Sequence, residues 1–115
     1  MSKHDPKVRL LHMRDFAQKA VQLTAGKTRA DLEQGEVLRL AVTRLMELVG
    51  QAATHIPAEI RERNPEIPWP KIVSMRNRLI HGYDEVDYAV LWDAFTFNLP
   101  DLVRQVERAL ADETA

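Results

Sequence analysis

The sequence contains no cysteine, and this absence excludes several kinds of site at once. Without thiols there is no disulfide framework, no thiolate zinc centre and no cysteine nucleophile. Long apolar runs are also missing, since no stretch approaches the roughly 20 residues that span a bilayer. The charged first residues are not followed by the apolar core of a secretory signal. We therefore expect a soluble, cytoplasmic protein with no membrane partner.

Glycine is scarce, and the patterns that hold metals or nucleotides are absent. The four glycines are isolated from one another, which excludes the glycine-rich loops that cradle phosphates. His4, His12 and His55 are scattered and form no pair with the spacing of metal ligands. We therefore predict that the chain binds no metal and no cofactor.

Neither sign of charge dominates the composition, because the net charge is −1. A protein that coats nucleic acid without sequence preference is usually basic overall, so that function is disfavoured. The balance still permits a local basic site, and a mild excess of basic residues lies between Arg61 and His81.

Apolar residues recur every three or four positions, which is the period of amphipathic helices. The 115 residues form one domain, 1–115. The pattern predicts an all-α bundle of four long helices plus a short helix. The long helices run from Pro6 to about Gly26, through Val37 to Ile56, from about Pro70 to Gly82, and from Asp84 or Asp87 through Leu110. The short helix covers residues 58–63. Leu23 and Val37 belong to the predicted apolar stripes.

Two local signals refine this prediction. Thr28 precedes Asp31 by three residues, which is the spacing of a helix-capping box. Pro100 lies inside the last helix and cannot donate to the carbonyl of Thr96, so the helix should kink or split there.

The segment 74–83, SMRNRLIHGY, gives the strongest indication of chemistry. Arginine is a permanent cation whose donors fit phosphate oxygens, and histidine can take and give a proton near neutral pH. In a continuous helix Arg76 and His81 lie about 140° apart, so they do not share a face. Either the helix ends near Ile80 and Gly82 lets His81 turn back, or two chains assemble the site. A purely structural reading also stands, in which Arg76 bonds nearby carbonyls and His81 caps the helix.

Residues 76–83, RNRLIHGY, resemble a motif of the HEPN superfamily. In that motif an arginine is followed by any four residues, a histidine, any one residue and a tyrosine. The preceding residues 68–75, PWPKIVSM, and the following residues 84–87, DEVD, make the segment similar to the HepT-like toxins, the DUF86 group. The Pro-Trp lead-in makes this resemblance more specific than the arginine–histidine spacing alone.

The resemblance extends over nearly the whole chain. Residues 11–15, LHMRD, are similar to the first helix of that group, and residues 47–53, ELVGQAA, to its central helix. One departure is Gln51, where the resemblance predicts glutamate.

The resemblance implies a HEPN-like antiparallel helix bundle that acts as a metal-independent endoribonuclease toxin of a type II-like toxin–antitoxin system. It implies a homodimer with both motifs lining one cleft. It also implies a cognate MNT-type nucleotidyltransferase antitoxin as partner, which attaches AMP to Tyr83 and silences the toxin.

The motif residues receive the following roles. We expect His81 to act as general base or acid when the ribose 2′-hydroxyl attacks phosphorus, and Arg76 to stabilise the added negative charge. Asn77 supports Arg76 or the phosphate, while Arg78 and Lys71 hold flanking RNA phosphates. The alternative function is a non-catalytic helical subunit that docks a nucleotidyltransferase or presents a nucleotide to it. A purely structural interaction protein is a third reading.

Overall fold

The computed structural model describes residues 5–81 and 87–114. In chain order the helices are α1 (Pro6–Thr24), α2 (Arg29–Gln34), α3 (Glu36–Thr54), α4 (Ala58–Arg63), α5 (Trp69–His81), α6 (Tyr88–Asp93) and α7 (Leu99–Thr114), and a π-helical turn (Ala94–Asn98) joins the last two. No strand lies in the described ranges, so the predicted all-α class is confirmed. None of the described helices is both long and apolar enough to cross a membrane.

The two long helices α1 and α3 form the middle of the bundle. Helix α1 packs against both α3 and α7, while α3 packs against both α1 and α5. The fourth long element is the continuous run of α6, the π-helical turn and α7. The described residues contain two short helices, α2 and α4, where the sequence predicted one short helix and a capped turn.

One face of α1 is buried against its neighbours. Its buried face carries Leu10, Met13, Ala17 and Ala20, all fully buried at helical spacing. The prediction that Leu23 is buried at the end of this apolar stripe was wrong, because its side chain is 39% exposed. Thr24 is buried instead, and it satisfies its hydroxyl by donating to the Ala20 carbonyl at 2.9 Å.

A similar correction applies at the start of α3. Val37 is 82% exposed, although its position in the apolar pattern predicted burial. The buried face of α3 begins later, and its members are Val42, Leu45, Met46, Val49, Gly50, Ala52 and Ala53. The first turn of α3 therefore lies at the edge of the core.

The predicted cap of α2 is confirmed. The Asp31 backbone N–H donates to the Thr28 hydroxyl at 3.2 Å, and the Thr28 backbone N–H donates to the Asp31 carboxylate at 2.8 Å. These two bonds satisfy donors that a helix start otherwise leaves without partners. The Thr28 backbone N–H, followed by the Thr28 side chain, holds the pKa of Asp31 below its ordinary value of 3.8.

The connector between α4 and α5 fixes where α5 begins. Asn64 is buried, and its side-chain amide donates to the Ile60 carbonyl at 2.8 Å. The Trp69 indole N–H donates in turn to the Asn64 carbonyl at 3.1 Å. Because Trp69 is the first residue of α5, these hydrogen bonds connect the beginning of α5 to the end of α4.

The sequence predicted a kink or a split at Pro100, and the structure has a π-helical turn directly before it, within one continuous helical run. The Leu99 N–H donates to the Ala94 carbonyl, five residues earlier, which is the π-helical pattern. The Thr96 hydroxyl donates to the Trp92 carbonyl at 2.9 Å. The helical run therefore accommodates the proline without a separate loop.

Candidate active site

A close contact between α3 and α5 fixes the stem of Arg76. A Cβ added at Gly50 would lie 2.2 Å from the Arg76 Cβ and 2.7 Å from its Cγ. Real Cβ atoms do not approach other carbons so closely, so a side chain at this position would force the two helices apart. Glycine at position 50 therefore lets the arginine lie directly against α3.

Two short hydrogen bonds hold the other end of Arg76. Its Nη1 donates to the Asn77 Oδ1, and its Nη2 donates to the Gln51 Oε1, both at 2.7 Å. Within the described part of the chain, the buried Nε has no hydrogen-bond partner. Each terminal nitrogen carries two hydrogens, so one on each remains for a ligand.

The polar contacts continue along α3. The Gln51 Nε2 lies 3.3 Å from the Nε2 of His55, the residue that follows α3. We call Arg76, Asn77, Gln51 and His55 the arginine network. The sequence pattern pointed to Arg76 and Asn77 but missed the other two, because Gln51 is 25 residues from Arg76 along the chain.

His81 lies on another face of the same helix. Helix α5 includes His81, so a chain that turns back at Ile80 is not observed. The helical geometry separates His81 from Arg76 by about 140°, and the two described hydrogen bonds of Arg76 lead to Asn77 and Gln51 instead. Helical geometry therefore places the two predicted catalytic residues on different faces of α5 within one chain.

An open groove of about 830 Å³ contains His81. Its polar wall includes Asn77 and Arg78 of α5, Arg61 of α4 and Asp87 at the start of α6. We call this surface the His81 groove. Three of the predicted site residues, Asn77, Arg78 and His81, thus line one surface.

A second open groove of about 610 Å³ lies beside it, between α5 and the run that leads into α7. Lys71 and Arg78 line it together with Glu66, Asp101 and Gln105. We call it the Lys71 groove. Arg78 contributes to both grooves, so the two predicted RNA-binding cations share a surface with carboxylates close by.

Tyr83, the predicted site of AMP attachment, lies outside the described residues. The described residues contain no group of three or more histidine, aspartate or glutamate side chains placed to hold a metal ion.

Together, the fold and the site define a class: an all-α domain that presents arginine and histidine on separate faces of one helix. The chain belongs to the HepT-like family, because the model of that family, described as ribonuclease HepT-like, matches residues 13–109. The match spans α5 and every predicted site residue. The protein is thus a ribonuclease of the HepT-like family, as the names of its relatives also indicate.

Three relatives illustrate the similarity. A protein of Methanocaldococcus jannaschii with the name "Putative RNase" is 30% identical over 97% of this chain and 93% of its own length. A "Putative RNase" of Caldanaerobacter subterraneus is 32% identical over 94% of this chain and 96% of its own length. The "Probable ribonuclease HepT" of Thermococcus cleftensis is 39% identical over 61% of this chain and 64% of its own length. No solved structure matches the chain.

Proposed function

We propose that the protein is a metal-independent endoribonuclease toxin of a type II-like toxin–antitoxin system that acts in the cytoplasm. Its active site is a cleft between two copies of the chain, and each copy supplies Arg76 and His81. Membership of the HepT-like ribonuclease family supports the reaction, and the geometry of α5 supports the two-chain site.

The separation of Arg76 from His81 carries this proposal. Within one chain the Arg76 guanidinium is held against α3, while His81 faces a groove on another side of α5. A second copy can bring its own histidine to the arginine. Exposed apolar side chains support such a contact, because Ile80 and Val90 are each 41% exposed and Val90 lines the His81 groove.

The reaction follows from the chemistry of these groups. The ribose 2′-oxygen forms a bond to phosphorus while the bond from phosphorus to the 5′-oxygen breaks. One His81 takes the 2′-hydroxyl proton, and the second copy's His81 gives a proton to the leaving 5′-oxygen. Arg76 stabilises the negative charge on the five-coordinate phosphorus, which is worth about 3–4 kcal/mol for one good donor. The products end in a 2′,3′-cyclic phosphate and a 5′-hydroxyl.

Cations on the outer face of α5 hold the rest of the RNA in this proposal. Arg78 lines both grooves and Lys71 lines one, so each can contact a phosphate next to the scissile one. Glu66 and Asp101 beside Lys71 keep this attraction moderate. Such contacts position RNA without reading its sequence.

The substitution His81→Ala tests the reaction. We expect it to abolish RNA cleavage and growth arrest while the protein remains folded and dimeric, because the exposed imidazole supports no part of the core. His12→Ala is the matched control, since His12 lies on α1 against Phe16 and outside both grooves. Cleavage at the wild-type rate by His81→Ala would overturn the assignment.

A second test changes the substrate. RNA with a 2′-deoxyribose at the scissile position lacks the nucleophile, so it should remain intact while the all-ribose RNA is cut. Cleavage of the deoxy-substituted strand would exclude attack by the 2′-hydroxyl.

Regulation by a partner completes the proposal. An MNT-type nucleotidyltransferase antitoxin attaches AMP to Tyr83, two residues after His81. The added phosphate and base then exclude RNA and compete for the arginine. Mass spectrometry of protein produced with this partner should show one AMP on Tyr83. A fully inhibited complex with unmodified tyrosine would contradict this mechanism.

The separation of Arg76 and His81 also fits a second function, a non-catalytic subunit that docks a nucleotidyltransferase or presents a nucleotide to it. In that case Arg76 contacts phosphate and His81 only donates or accepts a hydrogen bond. Wild-type dimer that cuts no RNA under any condition, yet binds the nucleotidyltransferase, would favour this function.

A further inference from the structure

We propose that Gln51 is a positioning residue for Arg76, and that His55 supports the Gln51 amide in the direction that the arginine sets. The inference rests on the proposed catalytic role of Arg76 and adds two residues of α3 and its C-terminus to the site. It concerns the arginine network and needs no contact between chains.

The direction of the Gln51 amide follows from the arginine. Arginine can only donate hydrogen bonds, so the Gln51 atom that lies 2.7 Å from Nη2 must be the carbonyl oxygen. The amide nitrogen then faces His55 at 3.3 Å. That nitrogen is a donor, and the His55 Nε2 lies where it can accept a hydrogen bond from it. The permanent cation thus sets the orientation of the Gln51 amide.

The burial of Nε decides how phosphate approaches. A guanidinium grips two oxygens either through Nε and one terminal nitrogen or through both terminal nitrogens. The Arg76 Nε is shielded from solvent, so the first approach is closed. A phosphate that binds through two oxygens therefore meets the Nη1–Nη2 end, where Asn77 holds one nitrogen and Gln51 the other.

The neutral amide matters as well. Gln51 holds the guanidinium without a compensating negative charge, so the full positive charge of Arg76 is available to phosphate. A carboxylate at this position would also hold the arginine, but it would form an ion pair that reduces the field on the substrate. Substitutions at position 51 can therefore separate the effect of placing the Arg76 guanidinium from the effect of leaving its charge uncompensated.

Three variants test the inference. Gln51→Met keeps the length of the side chain but removes the acceptor, so we expect kcat to fall about 10- to 100-fold with little change in KM. Gln51→Glu restores the acceptor oxygen and should recover part of the lost kcat, short of the wild type, because the ion pair weakens the field on the phosphate. His55→Ala removes a second support of the amide and should cause a smaller loss than Gln51→Met. Gln18→Met, an exposed change on α1, is the matched control.

A second readout does not depend on activity. In the wild-type dimer the nitrogen-15 NMR signals of the Arg76 terminal N–H groups should be separate, because the hydrogen bonds slow rotation of the guanidinium. In Gln51→Met these signals should merge, while the thermal unfolding midpoint stays close to that of the wild type. Merged signals in the wild type would overturn the inference.

The outcomes separate this inference from the proposed function. If Arg76→Ala is inactive and Gln51→Met has the wild-type kcat, the positioning role fails while the catalytic role of Arg76 stands. If Arg76→Ala cuts RNA as well as the wild type, the proposed function fails, and the NMR signals alone decide whether Gln51 holds the arginine. Loss of kcat in Gln51→Met without recovery in Gln51→Glu would also overturn the inference.

Discussion

At the scale of single residues, two kinds of contact hold Arg76 in place. Close packing on Gly50 fixes its stem, the Cβ and Cγ atoms, and hydrogen bonds fix its tip, the guanidinium. The stem lies where any Cβ at position 50 would overlap it, at 2.2 Å. The tip is held at 2.7 Å by Asn77 and by Gln51. Both kinds of contact come from α3 or from the next residue of α5, so the arginine is set in place before substrate arrives.

Gly50→Ala should therefore destabilise the protein. Alanine favours a helix over glycine by about 1 kcal/mol, but overpacking a core costs about 1–3 kcal/mol. The overlap with the Arg76 Cβ makes the net change in stability unfavourable, because a Cβ atom is attached to the backbone and can move only if its helix moves. We expect a lower free energy of unfolding in urea and slower RNA cleavage.

Asp112→Glu is the control for Gly50→Ala, since it adds one methylene on an exposed part of α7. It should leave both quantities unchanged. A Gly50→Ala protein as stable and as active as the wild type would show that the close contact has no consequence.

Residue type and spacing drew attention to Arg76 and His81 in the sequence, and the resemblance to the HEPN motif gave them their predicted roles. Residue type and spacing were not enough to find Gln51 and His55. Helical periodicity indicates which face of α3 is buried, but it does not say which residue of α5 lies opposite. His55 had no partner in the sequence pattern, and only the packing of α3 on α5 gives Gln51 its arginine.

At the scale of secondary structure, α2 depends on its cap. It has six residues, too few for a stable helix without help from its ends. The pKa of Asp31 is lowered, chiefly by the Thr28 backbone N–H. The carboxylate therefore stabilises the folded state at pH values above its ordinary pKa, and the contribution is lost as pH falls through the lowered folded-state pKa.

Asp31→Asn should lower the free energy of unfolding near neutral pH, since the amide accepts more weakly than the carboxylate. The difference between wild type and variant should shrink below pH 4 and vanish at the lowest pH, as Asp31 becomes protonated in both states. Chemical unfolding at a series of pH values measures it. A difference that grows on acidification would contradict the assignment.

The helix ends were largely predictable, because Pro6, Thr28 and the prolines before α5 have restricted or directed backbones. The π-helical turn before Pro100 was not. A proline removes one hydrogen bond, but a kink, a break or a wider turn can each accommodate that loss. Packing against the rest of the bundle selects among them, and the local sequence does not contain that information.

At the scale of the whole molecule, two open grooves formed by described residues flank α5. The His81 groove carries the histidine, and the Lys71 groove carries cations and carboxylates. The inner side of α5 holds Arg76 against α3. The two residues that we propose for phosphodiester cleavage thus lie on different faces of one helix, and the proposed function requires a second chain to unite them.

Complementation between inactive variants tests this requirement directly. Arg76→Ala and His81→Ala, each carrying a different affinity tag, are produced together, and the mixed dimer is isolated through both tags. We predict that this dimer cuts RNA more slowly than the wild type but faster than either variant alone. One chain supplies the arginine, and the other supplies a single histidine for one of the two proton transfers. A stable mixed dimer as inactive as its parents would contradict the two-chain site.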